Sequence, residues 1–261
     1  MASDIHVQYR DDGRIAVVSI DRPHRRNACD LQAWTDLRDA FSELAGDARV
    51  RLAVLQGEGG HFCAGDDIVA FRDVLSDAQA ADAYRSAIQA SYAAVQDAPI
   101  PVVAAISGAC VGGGCSLAMC CDFRVGDATA FISVPVAKLG LVYPTIQLQR
   151  LVQLVGISAA RRWLYTGERI GAQAALDNGF LDAQADGNVL DEALAFGASM
   201  LESAPLSIAG SKAQLNAIAA GRVAQEAGRI QALEARANAG EDYRNAAEAF
   251  AAKRKPVFTG R

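Results

Sequence analysis

Pro101-Val102-Val103-Ala104-Ala105-Ile106-Ser107-Gly108-Ala109-Cys110-Val111-Gly112-Gly113-Gly114-Cys115 is the stretch that decides the fold. Its first half is an unbroken apolar run behind a proline, the pattern of a short strand buried on both faces. Its second half is a glycine loop that opens into helix-forming sequence at Cys115. Three consecutive glycines carry a conformational-entropy cost, so something must require that backbone. The requirement read here is close approach by a ligand to peptide N–H groups at a helix start, where the dipole favours negative charge; tight helix–strand packing is the competing reading, and it explains one glycine more readily than three in a row. A phosphate or dinucleotide loop would show GxGxxG or GxxxxGK followed by Ser or Thr. Residues 108–114 read GxxxGGG with no lysine after them, which sets an NAD-linked oxidoreductase aside.

Working outward, the same alternation recurs on both sides. Residues 6–9, the turn Asp11-Asp12-Gly13 and residues 15–20 read as a hairpin. Asp30 offers a helix N-cap, followed by Leu31, Trp34, Leu37, Phe41 and Leu44 at steps of three and four. A buried strand at 52–55 ends in Gly57-Glu58-Gly59-Gly60, and a second loop, Phe62-Cys63-Ala64-Gly65-Asp66-Asp67-Ile68, follows it directly. Helical sequence at 80–96 leads back to the opening strand, and another strand is expected near Phe123-Arg124-Val125. Strands alternating with helices imply an α/β sheet covered on both faces. Beyond Pro144 the strand signal fades, and helices are expected at 146–155, 158–164, 172–178, 189–203, 207–239 and 241–253. The division expected is an α/β core over 1–190 with a helical region over 191–261.

Composition bounds the function. The chain has 261 residues, 51% hydrophobic and 21% charged, with a formal net charge of −5. That balance suits a globular protein and argues against broad binding to nucleic acid or anionic membrane, so an anionic ligand would need a local basic patch. No apolar stretch reaches the roughly 20 residues of a membrane helix. The polar start, residues 1–10, does not read as a signal peptide, and a cytoplasmic location is the expectation. The six cysteines show no CxxC pair and sit mainly in apolar or glycine-rich sequence. They read as reduced core residues, with no metal site expected.

Several segments together resemble the crotonase (enoyl-CoA hydratase/isomerase) superfamily. They are Arg22-Pro23 with Asn27-Ala28, the loop at 62–68, the strand and glycine run at 101–115, Cys121-Asp122, Leu139-Gly140, Val155-Gly156 and Thr166-Gly167. Ala174-Ala175-Leu176 with Gly179, and Glu241-Asp242-Tyr243 through Lys253-Arg254-Lys255-Pro256-Val257-Phe258, extend the match along nearly the whole chain. The resemblance implies a spiral of ββα turns and a helical C-terminal region that builds a homotrimer or a dimer of trimers. It implies a CoA thioester as substrate, with CoA part of that substrate and no permanently bound cofactor. The thioester carbonyl would accept hydrogen bonds from the N–H groups of Asp66 and Gly113, an oxyanion hole. The positions matching CoA contacts are His24 and Arg25 for the phosphates, Ala64, Asp67 and Ile68 beside adenine and pantetheine, and Phe250 and Lys253 from the helical region. The stretch 71–92 is expected to shape the acyl pocket.

At two positions the chain departs from the hydratases of that family, which use a pair of glutamates. Ser116 stands where the first would be, and Val136, after Pro135, where the second would be. Valine exchanges no proton, and serine has no useful basicity without a partner base. Tyr143, the Asp66 side chain and Ser116 are the polar groups left to act at the acyl group. The reactions open at this point are hydration by a replacement group, isomerisation, and decarboxylation or C–C cleavage of an acyl-CoA. Binding of acyl-CoA without turnover stands as the alternative from another class. The cluster Lys253-Arg254-Lys255 reads as a solvated tail or CoA contact rather than an RNA site.

Overall fold

A computed structural model of the chain describes residues 3–74 and 76–261. Met1 and Ala2 of the polar start, and Leu75 within the stretch expected to shape the acyl pocket, lie outside the described residues. The expected hairpin is present as β1 (Ile5–Arg10) and β2 (Ile15–Ile20), paired antiparallel. The α1 helix (Leu31–Gly46) starts where the cap signal put it, with Asp30 accepting from the Ala33 N–H. Its apolar stripe of Trp34, Leu37, Phe41 and Leu44 is fully buried.

Next come β3 (Leu52–Gly57), α2 (Ile68–Val74), α3 (Ala78–Asp97), β4 (Val102–Ile106), β5 (Ala109–Val111), α4 (Gly113–Cys120), β6 (Phe123–Asp127) and β7 (Phe131–Ser133). The chain continues through α5 (Thr145–Thr166), β8 (Ile170–Gly171), α6 (Ala172–Asp177), β9 (Ala183–Ala185), α7 (Val189–Gly197), α8 (Pro205–Ala219), α9 (Val223–Ala239) and α10 (Glu241–Ala251). The main sheet has the order β1-β2-β3-β4-β6-β9, parallel from β2 onward, and β5-β7-β8 form a second small sheet.

The α/β class expected from the alternating pattern is therefore present, with helices on both faces of the main sheet. On one face α1, α3 and α4 bury the larger core, which includes Trp34, Phe41, Val95 and Leu117. On the other, α7 covers Leu52, Val54, Val103 and Val125. α7, at the expected start of the helical region, lies on the sheet, and α8–α10 follow it from Pro205. The two helices expected at 146–155 and 158–164 are one element, α5, bent at Gly156, whose φ is +75°. The long helix expected at 207–239 is broken into α8 and α9 at Gly221, φ +66°.

Three polar contacts tie the helical region to the sheet. Lys212 of α8 donates to the Ile100 carbonyl at 2.9 Å and pairs with Asp122 at 2.7 Å. Arg51 donates to the Phe258 carbonyl at 2.8 Å. Buried Asp242 accepts from the N–H groups of Thr259 and Gly260, folding the C-terminal segment back onto α10. Among the described residues no helix is long and apolar enough to cross a membrane.

Candidate active site

The two loops singled out in the sequence lie against each other as paired backbone. Phe62 N–H donates to the Ser107 carbonyl at 2.8 Å, Cys63 N–H to Ala109 at 2.9 Å, and Val111 N–H returns to Cys63 at 3.0 Å. A third segment locks onto them: Ala64 N–H donates to Arg26, Cys29 N–H to Gly65, and Asp67 N–H to Cys29. Asn27 is the pin of this assembly. It is fully buried, its carbonyl oxygen accepts from Arg22 N–H at 2.8 Å, and its amide donates to the carbonyls of Glu58 and His61 at 2.8 and 2.6 Å. It also holds φ at +59°, which asparagine tolerates better than most residues.

Asn27→Ala removes three buried bonds and puts alanine in the left-handed region, so we expect about 2–4 kcal/mol of destabilisation. The check is the urea midpoint at unchanged slope; a loss below about 0.5 kcal/mol would show that the pin is dispensable.

The glycine run has a separate reason at each position. Gly112 adopts φ +54°, ψ −117°, a conformation nearly closed to residues with a Cβ. A Cβ on Gly114 would collide with the Cys63 carbonyl oxygen across the loop pair. Gly113 lies between them and faces the other loop: a methyl there would stand 3.4 Å from the Asp66 nitrogen and 3.2 Å from both Asp66 Oδ2 and the Tyr92 hydroxyl. Close packing of the loops and an open space at Gly113 therefore coexist within three residues.

That space holds two N–H donors. Among the described residues the Gly113 N–H, the first of α4, has no acceptor, while the Asp66 N–H reaches only its own carboxylate. A pair of donors at a helix start can hold an oxygen that gains negative charge. The Asp66 carboxyl lies beside them, half-buried, with Oδ1 accepting from the Trp34 indole N–H at 3.1 Å. Burial pushes its pKa up to about 6 against the lowering effect of the Trp34 and backbone bonds. A carboxyl poised there can take or give a proton near neutral pH.

The remaining hydroxyls are engaged. Tyr143 donates to the Gly112 carbonyl at 2.6 Å and lies 2.7 Å from Ser116 Oγ. Tyr92 donates to the Gly113 carbonyl at 3.0 Å. Burial holds both phenols well above the usual tyrosine range, so they stay protonated donors. Ser116 is almost fully buried, and its hydroxyl meets that of Tyr143 and neighbours that of Tyr92. His61 Nδ1 accepts from the Ala109 N–H at 3.1 Å, a loop fastener. Val136 is buried in a short 3₁₀ turn.

Of the residues matched to CoA contacts, His24 and Arg25 are exposed on the turn before Asn27, with Arg26 beside them, giving three basic residues outside the paired loops. Ala64 is half-buried and Ile68 exposed at the loop rim. The Asp67 side chain is committed inward: Oδ2 meets Arg22 at 3.2 Å and Oδ1 accepts from the N–H groups of Val69 and Ala70. Phe250, 89% exposed, and Lys253 lie on and just after α10, which packs on α9. In the stretch expected to shape the acyl pocket, Phe71 packs edge-on against Tyr84, and Tyr84 donates to the Cys29 carbonyl at 3.0 Å. Tyr92 is the member of that stretch that reaches Gly113. Trp34 carries a site contact through its indole N–H that its place in the apolar stripe does not announce.

Comparison with known proteins bears on the whole chain. A relative from Mycobacterium tuberculosis, described as a probable enoyl-CoA hydratase, echA6, is 37% identical over 202 residues, 77% of this chain and 79% of the relative. The enoyl-CoA isomerase/hydratase fer4 of Mycosarcoma maydis is 31% identical over 252 residues, 93% of this chain and 91% of its own. A crystal structure from Magnetospirillum magneticum, an enoyl-CoA hydratase/carnithine racemase, superposes with a TM-score of 0.89 at 32% identity. It covers 100% of this chain and 97% of that one. The fold is thus the crotonase fold implied by the resemblance. The enoyl-CoA hydratase/isomerase family model matches residues 10–261, taking in both loops, the Asp66–Gly113 space and helices α1–α10, and the chain belongs to that family.

Proposed function

We propose that this protein is an enzyme of acyl-CoA thioesters that moves a proton at the carbon next to the carbonyl, with isomerisation of an enoyl-CoA as its reaction. One observation carries the reading: two N–H donors and one carboxyl of raised pKa surround the same small space at Gly113. In the proposed complex the thioester oxygen accepts from Asp66 and Gly113 N–H, so the Asp66 N–H exchanges its own carboxylate for the substrate. The ionised carboxylate then takes a proton from Cα of a 3-enoyl thioester, and the electron pair moves to the carbonyl oxygen as a dienolate. The negative charge passes from Asp66 to that oxygen, so the site keeps one charge throughout. Returning the same proton to Cγ leaves the conjugated 2-enoyl thioester and restores the carboxylate.

A single carboxyl suffices for this shuttle. Water addition needs a group to activate water as well as one to protonate Cα, and neither Ser116 nor Val136 supplies a second carboxyl. Decarboxylation is disfavoured for another reason: a substrate carboxylate would sit against that of Asp66. The exposed His24, Arg25 and Arg26 give the local basic patch that CoA phosphates need on a chain of net charge −5. Ala64 and Ile68 at the rim suit the adenine and pantetheine. Phe250 and Lys253 suit a neighbouring copy's nucleotide in a homotrimer or dimer of trimers. We assign no permanent cofactor, and a cytoplasmic location accords with six unpaired cysteines.

The test compares 3-hexenoyl-CoA with crotonyl-CoA on the purified protein. Conversion of the former to a conjugated thioester, with hydration of the latter at least about 100-fold slower, is the expected result. Fast hydration would return the assignment to a hydratase with a replaced acid/base. Tight binding of both with no turnover and no deuterium exchange at Cα would make the protein a non-catalytic acyl-CoA binder.

A further inference from the structure

We infer that Tyr143, and Ser116 at one of the positions without the usual glutamate, act on the reaction through the backbone as positioning residues for the Gly113 donor. The inference rests on the thioester reading above. Its geometric basis is the peptide between Gly112 and Gly113. Among the described residues no peptide is cis, so the Gly112 carbonyl and the Gly113 N–H lie on opposite sides of one planar unit. A group that fixes the carbonyl therefore aims the N–H.

Tyr143 supplies that group. Its hydroxyl donates to Gly112 O at 2.6 Å, and the Ser116 backbone N–H donates to the same oxygen at 3.0 Å. A phenol has one proton, already committed to Gly112, so in the 2.7 Å contact between the two side chains the Ser116 hydroxyl donates to Tyr143. The result is a directed chain: Ser116 O–H to Tyr143 O–H to the Gly112 carbonyl, then through the peptide to the Gly113 N–H and the substrate oxygen. Each accepted hydrogen bond polarises its acceptor, so the chain strengthens the last donor as well as orienting it. Tyr92 holds the next peptide by donating to the Gly113 carbonyl at 3.0 Å. Gly113 is thus held from both sides.

The reason for such a device is in the sequence. Gly112 has φ +54° and ψ −117°, and glycine beside glycine beside glycine has the least intrinsic stiffness of any tripeptide. The close approach of the loops demands glycines, and the hydroxyl chain restores the rigidity they forfeit. This also accounts for a buried serine and a half-buried tyrosine that exchange no proton with substrate: the proton of Tyr143 never leaves Gly112.

The probe is butyryl-CoA labelled with ¹³C at the thioester carbonyl, a saturated ligand with no double bond to migrate, followed by isotope-edited infrared difference spectra. Wild-type protein should lower the carbonyl stretch on binding. Tyr143→Phe should lose a substantial part of that shift and Ser116→Ala a smaller part in the same direction. Turnover of 3-hexenoyl-CoA should fall about 10- to 100-fold in kcat for Tyr143→Phe and about 3- to 10-fold for Ser116→Ala, with KM within about threefold. The double variant should be no worse than Tyr143→Phe, because the serine hydroxyl reaches the Gly112 carbonyl through the tyrosine; two independent structural losses would instead multiply.

A wild-type carbonyl shift retained in full by both single variants would overturn the relay while leaving the thioester site intact. Multiplicative losses in the double variant would do the same. An unshifted carbonyl in bound wild-type protein would overturn the thioester reading and the relay together. If Tyr143→Phe fails to fold, Ser116→Ala, which removes the bond at the far end of the chain from Gly113 and keeps the phenol, carries the test alone by its carbonyl shift.

Discussion

Asp66→Asn is expected to lower isomerisation turnover about 100- to 10,000-fold and, at pH 7.5, to raise the melting temperature. The two effects share one cause. Burial beside Gly113 pushes the Asp66 carboxyl up to about 6, against about 3.9 for an unfolded aspartate. Between these values the folded chain binds a proton that the unfolded chain has released, so stability falls as pH rises from about 4 to about 6 and levels off above. At neutral pH the ionised carboxylate is therefore a standing cost. The half-buried position screens it, and about 1–2 kcal/mol remains. Asparagine keeps an oxygen for the Trp34 N–H and carries no charge, so the melting temperature should rise by about 2–6 °C.

The pH profile separates this from ordinary packing effects. A base must be ionised, so wild-type kcat/KM should climb as pH rises through about 6 and stay level above, and the variant should lose that limb. The stability gain should shrink at pH 4.5, where the folded wild type is already protonated. Unchanged turnover in Asp66→Asn, or a stability difference independent of pH, would remove Asp66 from the mechanism.

How much of this was legible in the sequence depends on the length scale of the signal. Residues 102–106 and the run Leu31, Trp34, Leu37, Phe41 and Leu44 announced a buried strand and a core-facing helix because period and composition report burial directly. The loops at 62–68 and 108–115 were legible because their glycines conflict with local propensity. The two- and three-residue strands β5, β7, β8 and β9 escaped, since no period exists in so short a run, and the bends at Gly156 and Gly221 were read as a gap in one case and as continuous helix in the other. The polar tips escaped for a different reason. A 3.6-residue stripe says that Trp34 faces inward but not that its indole N–H lands on Asp66, 32 residues away. Nor does any local pattern tell that the Tyr143 hydroxyl ends on Gly112, 31 residues earlier, rather than on a ligand. Those contacts belong to tertiary packing, where a side chain's direction is settled by distant neighbours.

The sharpest contrast expected from the fold lies between two adjacent glycines. Gly114→Ala should unfold or grossly destabilise the protein, by about 4 kcal/mol or more, because its methyl would overlap the carbonyl oxygen of Cys63. That oxygen is a backbone atom bonded to Val111 N–H at 3.0 Å, so relief would require the two loops to part. Gly113→Ala meets softer neighbours. Its methyl would stand 3.2 Å from Asp66 Oδ2 and from the Tyr92 hydroxyl, both ends of side chains that can yield by a few tenths of an ångström. Gly113 is also free of the positive φ that penalises alanine. The protein should fold with a loss of about 1 kcal/mol or less, yet the methyl would fill the space beside the Asp66 N–H where the thioester oxygen is proposed to sit. Butyryl-CoA affinity and turnover should then fall together by about 100-fold or more, through exclusion of the oxygen rather than loss of fold. Melting curves and calorimetric titration of both variants decide the matter. A soluble, stable Gly114→Ala would show that the loops are not held as closely as their hydrogen bonds imply, and a fully active Gly113→Ala would move the oxygen out of the Asp66–Gly113 space.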